Sequence, residues 1–323
     1  MLFYQDLENT IFCRHEIIDT DGLVILSGYL GPVPVSRLRE LPFDVTVIYG
    51  MYGDKGIKSR LHNSLLDLNS EISNIKIMYS KVPVHSKCYA WKQNNDIVHA
   101  LVGSANFSTN GLTSPYREVL AETTRDTFYE LNLYINTVLS NSLECVEVIP
   151  STPEEALPAF NGDLDIHVCT MTLLDPKTNE VQDYSGLNWG QSSTANVHPS
   201  DSCIPIRVTH IRNYPHLFPP KQTKPLLNAS GRPNRHNDVI DIIWDDGTKM
   251  TGLLEGSQPV NNIDYPKQIA SVPQKRIMGE YIRNRINVPL GAKITKEHLD
   301  AYGRTSVDVS LEEEGIYYFD FSV

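Results

Sequence analysis

The sequence predicts two domains in tandem, an α/β layer structure followed by a β-rich barrel or sandwich. Three observations carry that expectation. The length of 323 residues is about twice the roughly 150 typical of one domain, so each half can bury its own core. The first half alternates apolar runs with helical patterns, whereas the second breaks into short apolar runs separated by turn residues. Between them, residues 149–162 contain three prolines and no periodicity, the composition of a linker. The boundary is placed near Asp163, giving domains 1–163 and 164–323.

The elements follow in order. Residues 23–26 form a buried-strand pattern followed by a helical pattern over 35–41, and 45–49 a second strand followed by a helix over 57–68 with apolar residues at 57, 61, 65 and 68. Residues 75–79, 84–90, 97–102 and 118–122 continue the strands, and a helix over 126–139 closes the unit. In the second half, residues 239–244, the turn Asp245-Asp246-Gly247 and residues 249–254 predict a hairpin. Two helical patterns, 276–285 and 295–302, complete it.

Composition narrows the function. With 41% hydrophobic and 21% charged residues, the chain has the balance of a globular protein rather than a disordered one. No window approaches eighteen consecutive apolar residues, and the amino terminus lacks a basic start and an apolar stretch, so the expectation is a cytoplasmic protein without membrane partners. Five scattered cysteines, with no Cys-x-x-Cys, indicate neither a disulfide framework nor a zinc finger.

The net charge of −11 ordinarily argues against polynucleotide binding, which depends on Lys and Arg. The average conceals an asymmetry: residues 203–285 hold 12 basic against 7 acidic side chains, while 151–202 hold 1 against 8 and 286–323 hold 3 against 7. Residues 203–237 contain no acid at all but carry Arg207, Arg212, Lys221, Lys224, Arg232 and Arg235, with Asn213, Gln222 and Asn234 interspersed. A second acid-free run, 265–279, carries Lys267, Gln268, Gln274, Lys275 and Arg276. A charge run is usually a solvated face, but 35 residues without an acid favour a double-stranded DNA surface. The candidate DNA-binding residues are Arg207, Arg212, Asn213, Lys221, Arg232, Arg235, Lys267, Gln268, Gln274, Lys275 and Arg276. Their arginines favour a G·C-rich site, because guanine accepts a bidentate pair. Trp189 and Trp244 are expected in the core rather than as stacking platforms.

The chemistry concentrates in three short pieces, Val84-His85-Ser86-Lys87-Cys88-Tyr89, Gly103-Ser104-Ala105-Asn106 and Tyr116-Arg117-Glu118. Strand alternation places His85 and Lys87 on one surface and Val84, Ser86 and Cys88 on the other. Gly103 permits a sharp turn and close approach of a ligand, while Ser104 and Asn106 supply uncharged hydrogen-bonding groups beside the lysine. Glu118 is expected to accept the second ring N–H of His85 and so fix its tautomer. Such a set suits phosphoryl transfer without a metal or other cofactor: Lys87 and Asn106 orient the phosphate, and His85 attacks phosphorus. In-line displacement needs a general acid on the opposite side. Since no other His-x-Lys occurs, the expected source of a second imidazole is another copy of the chain, in a homodimer.

His85-Ser-Lys87 followed by Gly103-Ser104-Ala105-Asn106 resembles the phospholipase D superfamily signature, and Glu118 stands where its endonuclease branch carries a glutamate. The usual aspartate five positions after the lysine is replaced by Lys92, which favours the restriction-nuclease branch over a lipase-type site. Ser185-Gly186-Leu187-Asn188-Trp189-Gly190-Gln191, Cys203-Ile204-Pro205-Ile206, Tyr265-Pro266-Lys267-Gln268 and Gly315-Ile316-Tyr317-Tyr318-Phe319-Asp320 resemble the carboxy-terminal part of NgoFVII-type restriction endonucleases. The resemblance implies an α/β phospholipase D-like catalytic and dimerisation domain followed by a β-rich pseudobarrel that grips the major groove with two arms. It also implies a cognate methyltransferase and a separate helicase-like ATPase, since the chain has no Gly-x-x-x-x-Gly-Lys-Ser/Thr loop.

Three rivals remain at this level. A phospholipase D-like hydrolase of another phosphodiester gives the acid-free arms no role. A non-catalytic DNA-binding module gives His85 none. A zinc-dependent nuclease built on His236-Asn237-Asp238 has only a loose spacing.

Overall fold

The computed structural model describes residues 1–114, 116–150, 168–192, 197–221 and 237–323. The chain divides into two compact units, Met1–Asn161 and Gly162–Val323. The junction expected near residue 163 lies outside the described residues, as do Gln222, Lys224, Arg232, Asn234, Arg235 and His236.

The first unit carries β1 (Leu2–Phe3), α1 (Leu7–Phe12), β2 (Gly22–Ser27), α2 (Pro32–Arg37), β3 (Asp44–Tyr49), α3 (Tyr52–Lys55), α4 (Ser59–Glu71) and β4 (Ile75–Ser80). It continues with β5 (Lys87–Gln93), β6 (Asp96–Gly103), α5 (Thr109–Thr113), β7 (Leu120–Glu122), α6 (Phe128–Ser140) and β8 (Ser142–Glu144). One sheet runs β1-β7-β6-β5-β2-β3-β4-β8. β2, β3 and β4 are parallel and their neighbours antiparallel. All of β2 after Gly22 is buried, as a parallel strand covered on both faces requires. Val24, Leu26, Ile48, Met78 and Cys88 pack with Ile135 and Val138 of α6. Tyr79, one residue on from Met78, faces the other way and meets His62 Nδ1 of α4 through its hydroxyl at 3.2 Å. Period-two alternation thus assigns one sheet face to α6 and the other to α4.

Two expectations shift. The strand expected over 84–90 begins only at Lys87 and runs to Gln93. Pro83 has no N–H to give a ladder, and the Val84 amide donates to the carbonyl of Gly50, just beyond β3. Glu118 precedes β7 rather than opening it.

The second unit holds β9 (Val168–Thr172), β10 (Ile204–Pro205), α7 (Val208–Asn213), β11 (Asp238–Trp244), β12 (Lys249–Glu255), β13 (Gln258–Val260), β14 (Ile263–Tyr265) and β15 (Gln268–Ser271). α8 (Arg276–Arg285), α9 (Lys296–Tyr302), β16 (Ser306–Glu313) and β17 (Ile316–Asp320) complete it. Seven strands, ordered β10-β15-β12-β11-β17-β16-β9, form a nearly closed barrel-like sheet, and β13 pairs with β14 separately. The expected hairpin is β11–β12, and both helical patterns become helices. Trp244, Phe319, Phe321, Met278, Ile282 and Leu299 are core residues. Trp244 is fully buried as expected, whereas Trp189 is only half-buried. Among the described residues no helix is long and apolar enough to cross a membrane.

Candidate active site and nucleic-acid interface

Lys87 opens β5 next to the carboxyl end of β2, where α/β sheets commonly place ligands. It is only 4% exposed. Its Nζ donates to the His85 carbonyl at 2.6 Å and lies 3.1 Å from Nδ1 and 3.3 Å from Nε2 of the exposed His85 ring. His85 therefore meets Lys87 from the loop before the strand, not from within it. An ammonium can only donate, so the ring nitrogen that accepts from it is unprotonated, the form that a nucleophile needs. Burial pushes the Lys87 ammonium below its ordinary 10.5, and the charge of Glu118 opposes that shift.

Asn106 follows β6, and its Oδ1 accepts the Tyr29 amide at 3.3 Å and lies 3.4 Å from Ser27 Oγ. Because a backbone N–H can only donate, this contact fixes the amide orientation and leaves Nδ2 as the end able to donate to an anionic oxygen. The Tyr29 ring meets His85 edge-on, with centroids 5.9 Å apart. At the centre stands Gly28, which sequence reasoning missed. A methyl group there would lie 3.1 Å from His85 Cδ2, 3.3 Å from Asn106 Oδ1 and 3.5 Å from Lys87 Nζ. Three polar groups thus converge on one stretch of bare backbone. The available signal was Ser27-Gly28, two small residues directly after the apolar run 23–26.

Ser104 and Gly103 both meet the chain's own backbone at Val119. The Ser104 hydroxyl accepts the Val119 amide at 3.1 Å, and the Ser104 amide donates to the Val119 carbonyl at 2.9 Å. A methyl group on Gly103 would lie 2.0 Å from that same carbonyl oxygen. Glycine at 103 answers to the close approach of the chain's own backbone. Glu118 meets Lys87 through its charge and Arg117 at 3.7 Å; the expected hydrogen bond to His85 is not among its described contacts. On the other face, Ser86 Oγ and Tyr134 OH lie 2.7 Å apart, and a cleft of about 320 Å³ opens between His85 and α6.

In the second unit, the candidate residues divide. Lys221 Nζ donates to the Gly256 carbonyl at 2.6 Å and to Asn237 Oδ1 at 2.9 Å. Gln268 and Lys275 both donate to Glu255, and Lys275 also stands 4.8 Å over the Trp189 ring. The exposed Lys267 follows on the same edge, its amide donating to the Glu255 carbonyl at 2.8 Å. The structure therefore gathers Lys221, Lys267, Gln268 and Lys275 around the end of β12. Gln274 is exposed and Arg276 half-buried beside Lys275, while Arg212 and Asn213 are exposed at the end of α7. Arg207 goes elsewhere: its guanidinium donates to the carbonyls of Thr172 at 3.1 Å and Leu174 at 2.7 Å. It follows one edge strand, β10, and grips the end of the other, β9, so it bridges the gap in the barrel-like sheet. Burial lowers its pKa, opposed by Asp175. Among the described residues, no three His, Cys, Asp or Glu side chains are grouped closely enough to hold a metal ion.

Comparisons with known proteins cover both units. Residues 5–149 match the NgoFVII restriction endonuclease N-terminal phospholipase D domain, and residues 165–313 match the NgoFVII C-terminal B3-like DNA-binding domain. Among solved structures, NucT from Helicobacter pylori is 17% identical, over 45% of this chain and 97% of its own, with a TM-score of 0.34. Nuc from Salmonella typhimurium, a phospholipase D family member, is 13% identical, over 39% of this chain and 82% of its own, with a TM-score of 0.27. No curated protein matches. With the two domains of one family matched in order along it, the chain belongs to the NgoFVII restriction endonucleases, a phospholipase D-type nuclease domain followed by a B3-like DNA-binding domain.

Proposed function

We propose that this chain cleaves double-stranded DNA at a short, G·C-rich site through a phosphohistidine, in a homodimer whose active site lies at the subunit interface. The observation that carries the reading is the convergence of His85, Lys87 and Asn106 around Gly28. Lys87 and Asn106 neutralise and orient two phosphate oxygens. A ring nitrogen of His85 forms a bond to phosphorus as the bond to the leaving sugar oxygen breaks, and His85 of the partner subunit protonates that oxygen. Water then attacks the phosphohistidine, giving its proton to the partner imidazole and restoring His85. Glu118 supports the Lys87 charge, and Ser104 holds the turn that carries Asn106. One composite site per dimer cuts the two strands in succession. No metal takes part in these steps. In the cytoplasm the protein acts beside a cognate methyltransferase and a helicase-like ATPase.

Incubating the purified chain with plasmid DNA and with phospholipid vesicles, with and without EDTA and followed by acid-free denaturation, tests the reading. The expected result is DNA cleavage that persists in EDTA, with an acid-labile phosphoryl adduct on His85, from a dimeric protein. Cleavage abolished by chelation, a strictly monomeric active enzyme, or turnover of lipid alone overturns it.

A further inference from the structure

Glu255 is out of place by charge. It ends β12 directly opposite Gln268 in the antiparallel register, on an edge where Lys221, Lys267 and Lys275 gather. A carboxylate there repels phosphate, so a surface serving phosphates alone gains nothing from it. It is largely enclosed, its side chain 14% exposed and that of Lys275 26%. A single oxygen, Oε1, accepts both Gln268 Nε2 and Lys275 Nζ. Trp189 covers another side of the same ammonium, 4.8 Å below it. Two long and otherwise rotatable side chains are thereby held by one acid and one ring.

The chemical consequence is directional. A glutamine amide can donate or accept, and so by itself reads bases ambiguously. With one Nε2 hydrogen given to Glu255 the amide is held against turning over, so its Oε1 acceptor keeps a fixed place, which suits an exocyclic amine such as cytosine N4. The remaining ammonium hydrogens of Lys275 suit the guanine acceptors N7 and O6. A G·C pair displays those acceptors and that donor side by side on its major-groove edge.

We infer that Glu255 is a specificity-determining positioning residue, holding Gln268 as acceptor and Lys275 as donor so that together they match the major-groove edge of one G·C base pair. The inference rests on the DNA-binding role proposed above. Glu255 itself touches no base; it acts through the two side chains it orients.

The test is selection of bound sequences from a pool of randomised DNA duplexes, with wild type, Glu255→Gln and Gln268→Leu, each checked for an unchanged melting temperature. Wild type is expected to select a site. Glu255→Gln, which lets the amide of Gln268 turn over, is expected to lose about tenfold of the G·C preference at one position of that site. It should also bind the unselected pool more tightly, with a salt slope steeper by about one because Lys275 becomes available to phosphate. Gln268→Leu is expected to lose preference at the same position without the steeper slope, and it carries the test alone should Glu255→Gln unfold. Undiminished preference in Glu255→Gln, or losses at different positions in the two variants, overturns the inference while leaving DNA recognition standing. A wild type that binds the pool without preference overturns the sequence-specific reading and this inference with it.

Discussion

Lys87 in the first unit and Lys267 in the second are both basic residues of a strand-rich framework, and they are treated in opposite ways. The former is 4% exposed, its ammonium locked against His85, whereas the latter stands exposed on the edge beside β15. Around Gly28, three side chains from two separate stretches of chain meet at one point; around Glu255, cations are spread along an edge. The proposed chemistry at a single atom requires positions fixed to fractions of an ångström, and the buried Lys87 at the start of β5 supplies a fixed partner for the exposed His85. Recognition of a polyanion requires charges that stay available over an extended surface. A basic residue deprived of exposure without serving chemistry becomes structural, as Arg207 does in bridging the two edge strands.

Changes at the two regions should separate accordingly. His85→Ala should reduce cleavage by about 10⁴-fold or more while DNA binding, measured by electrophoretic shift, stays at the wild-type level. Loss of both together would break the division between chemistry and recognition. Gly28→Ala inserts a methyl group 3.1 Å from His85 Cδ2, and a displacement on that scale should lower cleavage by about 10²-fold with little change in melting temperature. Equal losses of activity and stability would show that Gly28 serves the fold instead.

Within the second unit, Arg207→Ala should destabilise by about 2 kcal/mol through two lost carbonyl contacts, read as a lower denaturation midpoint. Lys267→Ala should leave stability unchanged, weaken DNA binding severalfold and reduce the salt slope by about one. Exchanged outcomes would reverse the roles assigned to these two cations. The smallest effect is one of pH. In the proposed mechanism Lys87 must be protonated to neutralise phosphate, and burial lowers its pKa from 10.5, so its charge is lost at a lower pH than that of an ordinary lysine as pH rises. Single-turnover cleavage should therefore decline on the alkaline side before pH 10.5 is reached; a rate constant held beyond that value contradicts a buried, catalytic ammonium.

Much was legible because it is local. The apolar run 23–26, the pattern Arg276–Arg285 and the Asp245-Asp246-Gly247 turn all act within a few residues, through periodicity and turn chemistry. His85, Lys87 and Asn106 stood out because their residue types and spacing are what phosphoryl chemistry uses. The alternation argument placed His85 and Lys87 on one surface, yet the strand begins only at Lys87, since Pro83 cannot join a ladder and the Val84 amide is taken by Gly50.

By itself, then, the sequence determined the strand and helix character of its strongly periodic segments, such as 23–26, 45–49 and 276–285, and which residue types could perform the chemistry. Tertiary structure decided that β5 lies between β2 and β6, and so that Gly28, His85 and Asn106 share one point. It likewise decided that Gln268 faces Glu255 across the β12–β15 pair and that Arg207 turns to the opposite edge. The reason is physical: hydrophobic period records which face of an element is buried, but which elements become neighbours depends on contacts between residues far apart in the chain, and those leave no periodic mark.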